Sequence, residues 1–151
     1  MLQLAQPADR DAVNLLAAQV HAMHVQWRPD IYEMPQELFS EERFLDAIQN
    51  RQLYVAKIDG IMVGYVLLKT RLYDWPGVVS RKVMLIDEIC VHESCRNHGI
   101  GKKMMEDVCA LAKAFQCTDM QLGVYPQNDE AIAFYQKCGF TIRSIDMQRK
   151  V

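Results

Sequence analysis

Apolar side chains in the first thirty residues recur three and four positions apart. Val13, Leu16, Val20 and Met23 would line one side of a helix. Pro7, Asp9 and Asp11 suit its start, and it should fade before Pro29. The opening "LQL" reads as a short strand. The pattern is lost across "PDIYEMPQELF", a loop with two prolines. Ser40 then offers a cap to a second helix, whose Glu41 and Glu42 suit the positive end of its dipole. Beyond it the period changes to two. "LYVAKI" and "IMVGYVLLK" flank Asp59-Gly60, a pair that supplies the two left-handed positions of a tight hairpin turn. After a break at "DWPGVVSR", "KVMLIDEICV" resumes as a long strand. The helical period returns at Ile100 and runs through Met104, Met105, Val108, Leu111, Ala112 and Phe115. "DMQLGVY" follows as a strand. Asn128 opens another helix through Ala131, Phe134 and Tyr135, and Cys138-Gly139 ends it. "FTIRSIDMQRKV" reads as a closing strand carrying Phe140, Ile142 and Ile145.

A chain of 151 residues, half of them hydrophobic, fits one domain with one core. Its formal charge of −2 comes from interleaved acidic and basic residues and leaves no basic face, so nucleic acid is not an expected partner. No apolar run approaches the ~20 residues of a membrane span, and "MLQLAQPADRD" lacks the basic and apolar regions of a secretory signal. No membrane association and a cytoplasmic location are therefore expected. Five cysteines, an odd number with no C-x-x-C pair, point to plain thiols in a reducing compartment rather than disulfides or zinc.

Two places carry candidate chemistry. Asp87-Glu88 is an acidic pair set between Ile86 and Ile89 in an otherwise apolar strand. The other is the junction "VHESCRNHGIGKKMMEDV", where a strand runs into Gly99 and Gly101 at a helix start. Such a start presents free main-chain N–H groups and a positive dipole end, and glycine lets phosphate oxygens come close. Arg96, Lys102 and Lys103 add positive charge, which favours a pyrophosphate over a single carboxylate. A P-loop would need glycine in place of Arg96 and a hydroxyl in place of Lys103, and a dinucleotide fingerprint would need glycine in place of Met104. What remains is Arg96-x-x-Gly99-x-Gly101, which alone would also suit a plain tight turn flanked by solvated lysines.

That motif, together with Asn128-x-x-Ala131-x-x-x-Tyr135-x-x-x-Gly139-Phe140, resembles the paired signatures of the GCN5-related N-acetyltransferase family. The order of elements agrees with that family along nearly the whole chain. The resemblance implies an α/β (α+β) fold, a mixed and mostly antiparallel sheet of about six or seven strands flanked by about four helices, in a single N-acetyltransferase domain over residues 1–151. It implies acetyl-CoA as co-substrate and no metal. The motif Arg96 and the backbone of Asn97, His98, Gly99, Ile100, Gly101 and Lys102 would hold the pyrophosphate. Ile89, Cys90 and Val91 would pair with the pantetheine like an extra strand. Asn128 would contact the same arm, and Phe134 joins the donor-binding residues. Tyr135 resembles the tyrosine that hydrogen-bonds the departing sulfur. Donation rather than full proton transfer is implied, since a phenol of pKa ~10 is a weaker acid than a thiol of ~8.5.

Acetylation needs an unprotonated amine, and an amine of pKa ~10 is almost wholly cationic at neutral pH. Asp87 and Glu88 are the carboxylates available to take the proton, although alternation puts them on opposite faces unless a bulge intervenes. Polyamine acetyltransferases of the family carry an acidic pair here. The register, nine residues before Arg96, matches Asp87 to their base and leaves Glu88 to attract the cation, and the roles are open to exchange. A salt-bridged strand end using Arg81 or Lys82 is the other reading. A bulge near Ile89 to Val91 would supply a donor for the thioester oxygen. Asp30, Glu33, Glu37, Asp87 and Glu88 favour a small cationic amine such as a polyamine, or a lysine or amine-bearing antibiotic, in a groove beside Tyr32, Trp75 and Asp87. A non-catalytic acyl-CoA-binding module is the alternative from another class. His21 and His24 lack a third metal ligand and read as solvent or acceptor-groove residues. His92 reads as a surface residue near the phosphate turn. The resemblance also implies a homodimer formed through C-terminal strands, whose edge would need cover.

Overall fold

The computed structural model describes residues 1–151. Strand β1 (Leu2–Leu4) leads through a single 3-10 turn at Pro7–Asp9 into helix α1 (Arg10–Trp27). Helix α2 (Glu41–Gln49) follows, and its Ser40 Oγ accepts from the Arg43 N–H at 3.2 Å, the expected cap. Then come β2 (Leu53–Ile58), β3 (Ile61–Tyr73), β4 (Arg81–Val91), α3 (Ile100–Ala114), β5 (Asp119–Leu122) and α4 (Asp129–Lys137). The β2–β3 turn is the one its sequence calls for, with Asp59 at φ 50° and Gly60 at φ 77°.

The strands form one sheet in the order β1-β2-β3-β4-β5, antiparallel except for the parallel β4–β5 pair. On one face α1, α2 and the segment between them bury Val13, Leu16, Phe39, Phe44 and Ala47 against Leu53, Val55, Tyr65, Leu67 and Cys90. On the other, Met105, Val108 and Ala112 of α3 pack on Tyr54, Val66, Leu68, Met84 and Ile86, and Phe134 and Tyr135 of α4 close the rim. Gly64 lets β3, β4 and α3 come together, because a Cβ there would lie 2.6 Å from the Cys90 carbonyl oxygen and 2.9 Å from Met104 Sδ. No helix is long and apolar enough to cross a membrane.

One irregularity organises the site. Leu67 of β3 opposes Glu88 while Leu68 opposes Ile86, so Asp87 is the extra residue of a bulge. The bulge reverses the alternation of β4. Met84 and Ile86 face α3, whereas Cys90 joins the α1 face and Glu88 meets Tyr65 there.

Two sequence expectations are corrected. The sheet has five strands rather than six or seven, since residues 140–151 pair with no strand. The apolar positions change parity between Ile142 and Ile145, so the segment has no single apolar face, and Ile142, Ile145 and Met147 are 75%, 79% and 94% exposed. The strand expected over Asp119 to Tyr125 stops at Leu122 because its partner β4 bends at the Asp87 bulge.

Candidate active site

Strands β4 and β5 pair only from Val83–Asp119 to Ile86–Leu122. Past that point the edge of β4 that faced β5 lies open, while its other edge continues to pair with β3 through Glu88, Ile89, Cys90 and Val91. Ile89 to Val91 thus offer an open main-chain edge of the kind an extended arm can join. The Cys90 thiol turns away from that edge and donates to the Leu16 carbonyl at 3.5 Å. Burial pushes it up to about 11, with the Arg96 charge pulling the other way. It is a buried packing group rather than a nucleophile.

The open edge leads into the glycine junction. After a 3-10 turn at Glu93–Cys95, Asn97 adopts φ 63° and Gly99 φ 78°, and α3 begins at Ile100. No main-chain N–H from Asn97 to Lys102 reaches a main-chain carbonyl; the first closed bond runs from the Lys103 N–H to the Gly99 carbonyl at 3.0 Å. Arg96 Nε donates to the Val91 carbonyl at 3.2 Å, and His98 Nδ1 donates to the Arg96 carbonyl at 2.7 Å, which fix the turn. Lys103 turns along the helix to Asp107 at 3.2 Å, whereas Lys102 makes no ion pair. A Cβ on Gly101 would lie 3.3 Å from Phe134 Cζ, so α4 lies directly over this turn. A run of unengaged donors at the positive end of a fifteen-residue helix fits a diphosphate.

Helix α4 contributes from the same side. Asn128 Oδ1 accepts from the Ala131 N–H at 3.2 Å, capping the helix and leaving the Nδ2 donors for another partner. The Tyr135 ring sits between Phe134 and Phe140, with centroids 5.4 and 5.9 Å away. Burial pushes its phenol up to about 12, with Cys138 adding to the shift, so the hydroxyl keeps its proton and can donate.

The acidic pair is held differently. Glu88 Oε1 accepts from Arg43 Nη2 at 3.0 Å, and Oε2 accepts from the Tyr65 hydroxyl at 2.8 Å. Burial holds the Tyr65 phenol far above its ordinary range, and the Glu88 charge adds to the shift. Asp87 pairs with Lys69 at 2.5 Å. Tyr65 and Lys69 share one face of β3, so the bulge turns both carboxylates toward the α1–α2 side rather than to opposite faces. The partners suggested by the sequence lie elsewhere: Arg81 pairs with Asp119 at 2.6 Å, and Lys82 Nζ donates to the Phe115 carbonyl at 2.9 Å. Trp75 is also separate, packed on Tyr73 at 5.2 Å by the β3–β4 turn.

A group of rings, only partly anticipated from the sequence, stands where the Glu88 charge reaches one of its members, His24. His21, His24 and Trp27 come from α1, Tyr32 from the loop after it, and Tyr125 from the segment between β5 and α4. The Tyr32 and Tyr125 hydroxyls share a hydrogen bond at 2.8 Å. His24 lies 5.4 Å from Tyr32, 5.7 Å from Tyr125 and 5.9 Å from Trp27 between centroids, and His21 lies 5.7 Å from Tyr32. Burial lowers the His24 pKa and the nearby His21 lowers it further, while the charge of Glu88 pulls the other way. All five rings remain partly exposed. Arg28 closes one end, held by Asp30 at 2.8 and 2.9 Å and by Gln148 of the C-terminal segment at 2.7 Å. No three His, Cys, Asp or Glu side chains converge as a metal site. The three-residue spacing of His21, His24 and Trp27 was visible along the chain; nothing local pointed to Tyr125.

The sheet that splits beside a bulge, and the glycine turn at its mouth, define a class of protein. The chain belongs to the Acetyltransferase (GNAT) family, whose profile matches residues 20–140. It is 33% identical over 100 residues to the uncharacterized N-acetyltransferase YvbK of Bacillus subtilis (strain 168), a match covering 66% of this chain and 59% of that protein. It is 29% identical over 107 residues to the 5-NmdU N-acetyltransferase of Pseudomonas phage PaMx11, covering 71% and 67% of the two chains. Among solved structures, a mutant of the BH1408 protein from Bacillus halodurans superposes with a TM-score of 0.94 at 28% identity, covering 100% of this chain and 99% of that one.

Proposed function

We propose that the protein transfers an acetyl group from acetyl-CoA to a primary amine by direct attack in a ternary complex. The observation that carries this reading is the continuous path from the unengaged N–H groups of Asn97 to Lys102, along the open edge of β4, to the carboxylates at the bulge. When bound, acetyl-CoA would supply an acyl group activated as a thioester. Asn97 to Lys102 would bind its pyrophosphate, with Lys102 adding charge. Ile89 to Val91 would align the pantetheine, and Asn128 Nδ2 would steady it. Main-chain N–H groups on the same edge would face the charge that develops on the thioester oxygen.

Glu88 is the carboxylate we assign to the proton. It is the one whose charge acts on His24, and its second lone pairs remain free beyond Arg43 and Tyr65. Asp87, further exposed and paired with Lys69, is the less available of the two. Glu88 takes the proton whose loss frees the amine lone pair; the nitrogen then bonds to the acetyl carbon, the carbon–sulfur bond breaks, and the second proton the nitrogen sheds goes through solvent to the departing thiolate, giving amide and thiol. Tyr135 would donate a hydrogen bond to the departing sulfur.

Thiol release from acetyl-CoA in the presence of primary amines tests the reading. Amine-dependent release is expected, and Tyr135→Phe should lower kcat about tenfold with unchanged CoA affinity, the effect of losing roughly one hydrogen bond in the transition state. Tight CoA binding without release for any amine would leave a non-catalytic acyl-CoA-binding module. We also infer pairing with a second copy, supported by the uncovered outer edge of β5 and the exposed apolar tail that pairs with no strand in its own chain. Sedimentation at the 17.4 kDa monomer mass would overturn that inference.

A further inference from the structure

The carboxylates that favour a polycationic acceptor in the sequence are mostly neutralised in the fold. Asp30 is paired with Arg28, Glu37 with Arg10, Asp87 with Lys69 and Glu88 with Arg43, at 2.5 to 3.0 Å. Of that group only Glu33 makes no ion pair. A polyamine or amino sugar carries several ammonium groups and needs several uncommitted anions, which this surface does not offer. What the acceptor side offers instead is ring surface: His21, His24, Trp27, Tyr32 and Tyr125, all partly exposed, with His24 close enough to Glu88 to feel its charge.

We infer that this ring cluster is the acceptor subsite and that it takes an arylalkylamine, a single primary ammonium carried by a short chain on an aromatic body. The ring of such a molecule would stack or meet edge to face with Trp27 and the tyrosines, and its ammonium would reach toward Glu88 across ring faces that attract a cation. His24 suits this position because burial among the rings disfavours its charged form, so it does not repel the incoming ammonium. The Tyr32–Tyr125 hydroxyl bond ties the loop after α1 to the segment after β5, so the two walls of the subsite are held by each other. The inference rests on the acetyltransferase reading, and its test separates the two.

The probes are phenethylamine, spermidine and kanamycin, each with acetyl-CoA. Phenethylamine should show a kcat/KM at least tenfold above the other two. Trp27→Ala and Tyr125→Ala should each raise its KM about tenfold, Trp27→Phe should recover most of that loss, and CoA affinity should be unchanged in all three. Binding can also be read without turnover. The chain has two tryptophans, so Trp75→Phe leaves Trp27 as the sole indole, and phenethylamine should then shift its emission in a saturable way. Preference for kanamycin or spermidine, folded Trp27→Ala protein with unaltered KM, or no emission change would overturn the arylalkylamine subsite while leaving acetyl transfer intact. Failure of the parent protein to bind CoA at all would overturn both.

Discussion

The proposed donor and acceptor sides of this site are built in opposite ways. The donor side is chiefly main chain from one continuous stretch, Ile89 to Lys102, with an open strand edge and unengaged N–H groups, joined by Asn128 and Tyr135 from α4 and its cap. The acceptor side is side chains from α1, the loop after it, β3, β4 and the segment after β5, held together by hydrogen bonds and ring packing. A main-chain site is specified by backbone geometry and keeps its ligand class when surface residues change. A side-chain site can be refitted one residue at a time. One fold can thus hold one donor while its acceptors diverge.

The sharpest way to break that separation is Glu88→Gln. With the proposed base gone, kcat/KM should fall about 10²-fold, within the usual range for a general base, while calorimetry finds CoA affinity unchanged. A parallel loss of CoA binding would show that the two sides are not independent. The reciprocal test is Gly99→Val. Gly99 sits at φ 78°, where a β-branched residue is strained, so the turn should shift and CoA should bind about tenfold more weakly with the amine KM unchanged.

The smallest expected effect concerns pH. His24 packs against His21, Trp27, Tyr32 and Tyr125 and feels Glu88, and its folded pKa lies below the ordinary 6.5. The unfolded chain therefore binds more protons there, so stability rises with pH through the region just below that value and is lost as pH falls through it. Melting temperature should climb as pH rises toward about 7 and then level, and His24→Gln should flatten the climb. An unchanged slope in the variant would place the titrating group elsewhere.

The same contrast explains what could be read from residues alone. Gly99, Gly101 and the apolar run from Ile100 are neighbours in sequence, so strand, turn and helix could be placed before any contact was known, as could the Asp59-Gly60 hairpin. The Tyr32–Tyr125 bond joins residues 93 positions apart, and no local period encodes it. The acidic pair was visible, but its facing was not, because a bulge depends on how β3 and β4 register rather than on Asp87 itself. The closing segment misled for a related reason. Its residues suit a strand, yet strand formation also requires an edge to pair with, and none within the chain takes it.

The extra residue at Asp87 works as a phase shifter within a single strand. Excising it would rotate everything downstream by half a period, turning Cys90 and the carboxylate toward α3 and exposing Ile89 to the helices opposite. Length changes at the β3–β4 turn near Gly77, where an added Cβ meets nothing within 4 Å, would be absorbed harmlessly. Insertions and deletions in descendants of this chain should accordingly collect at that tip and be purged from the stretch between Ile86 and Val91, whatever amine each descendant comes to use.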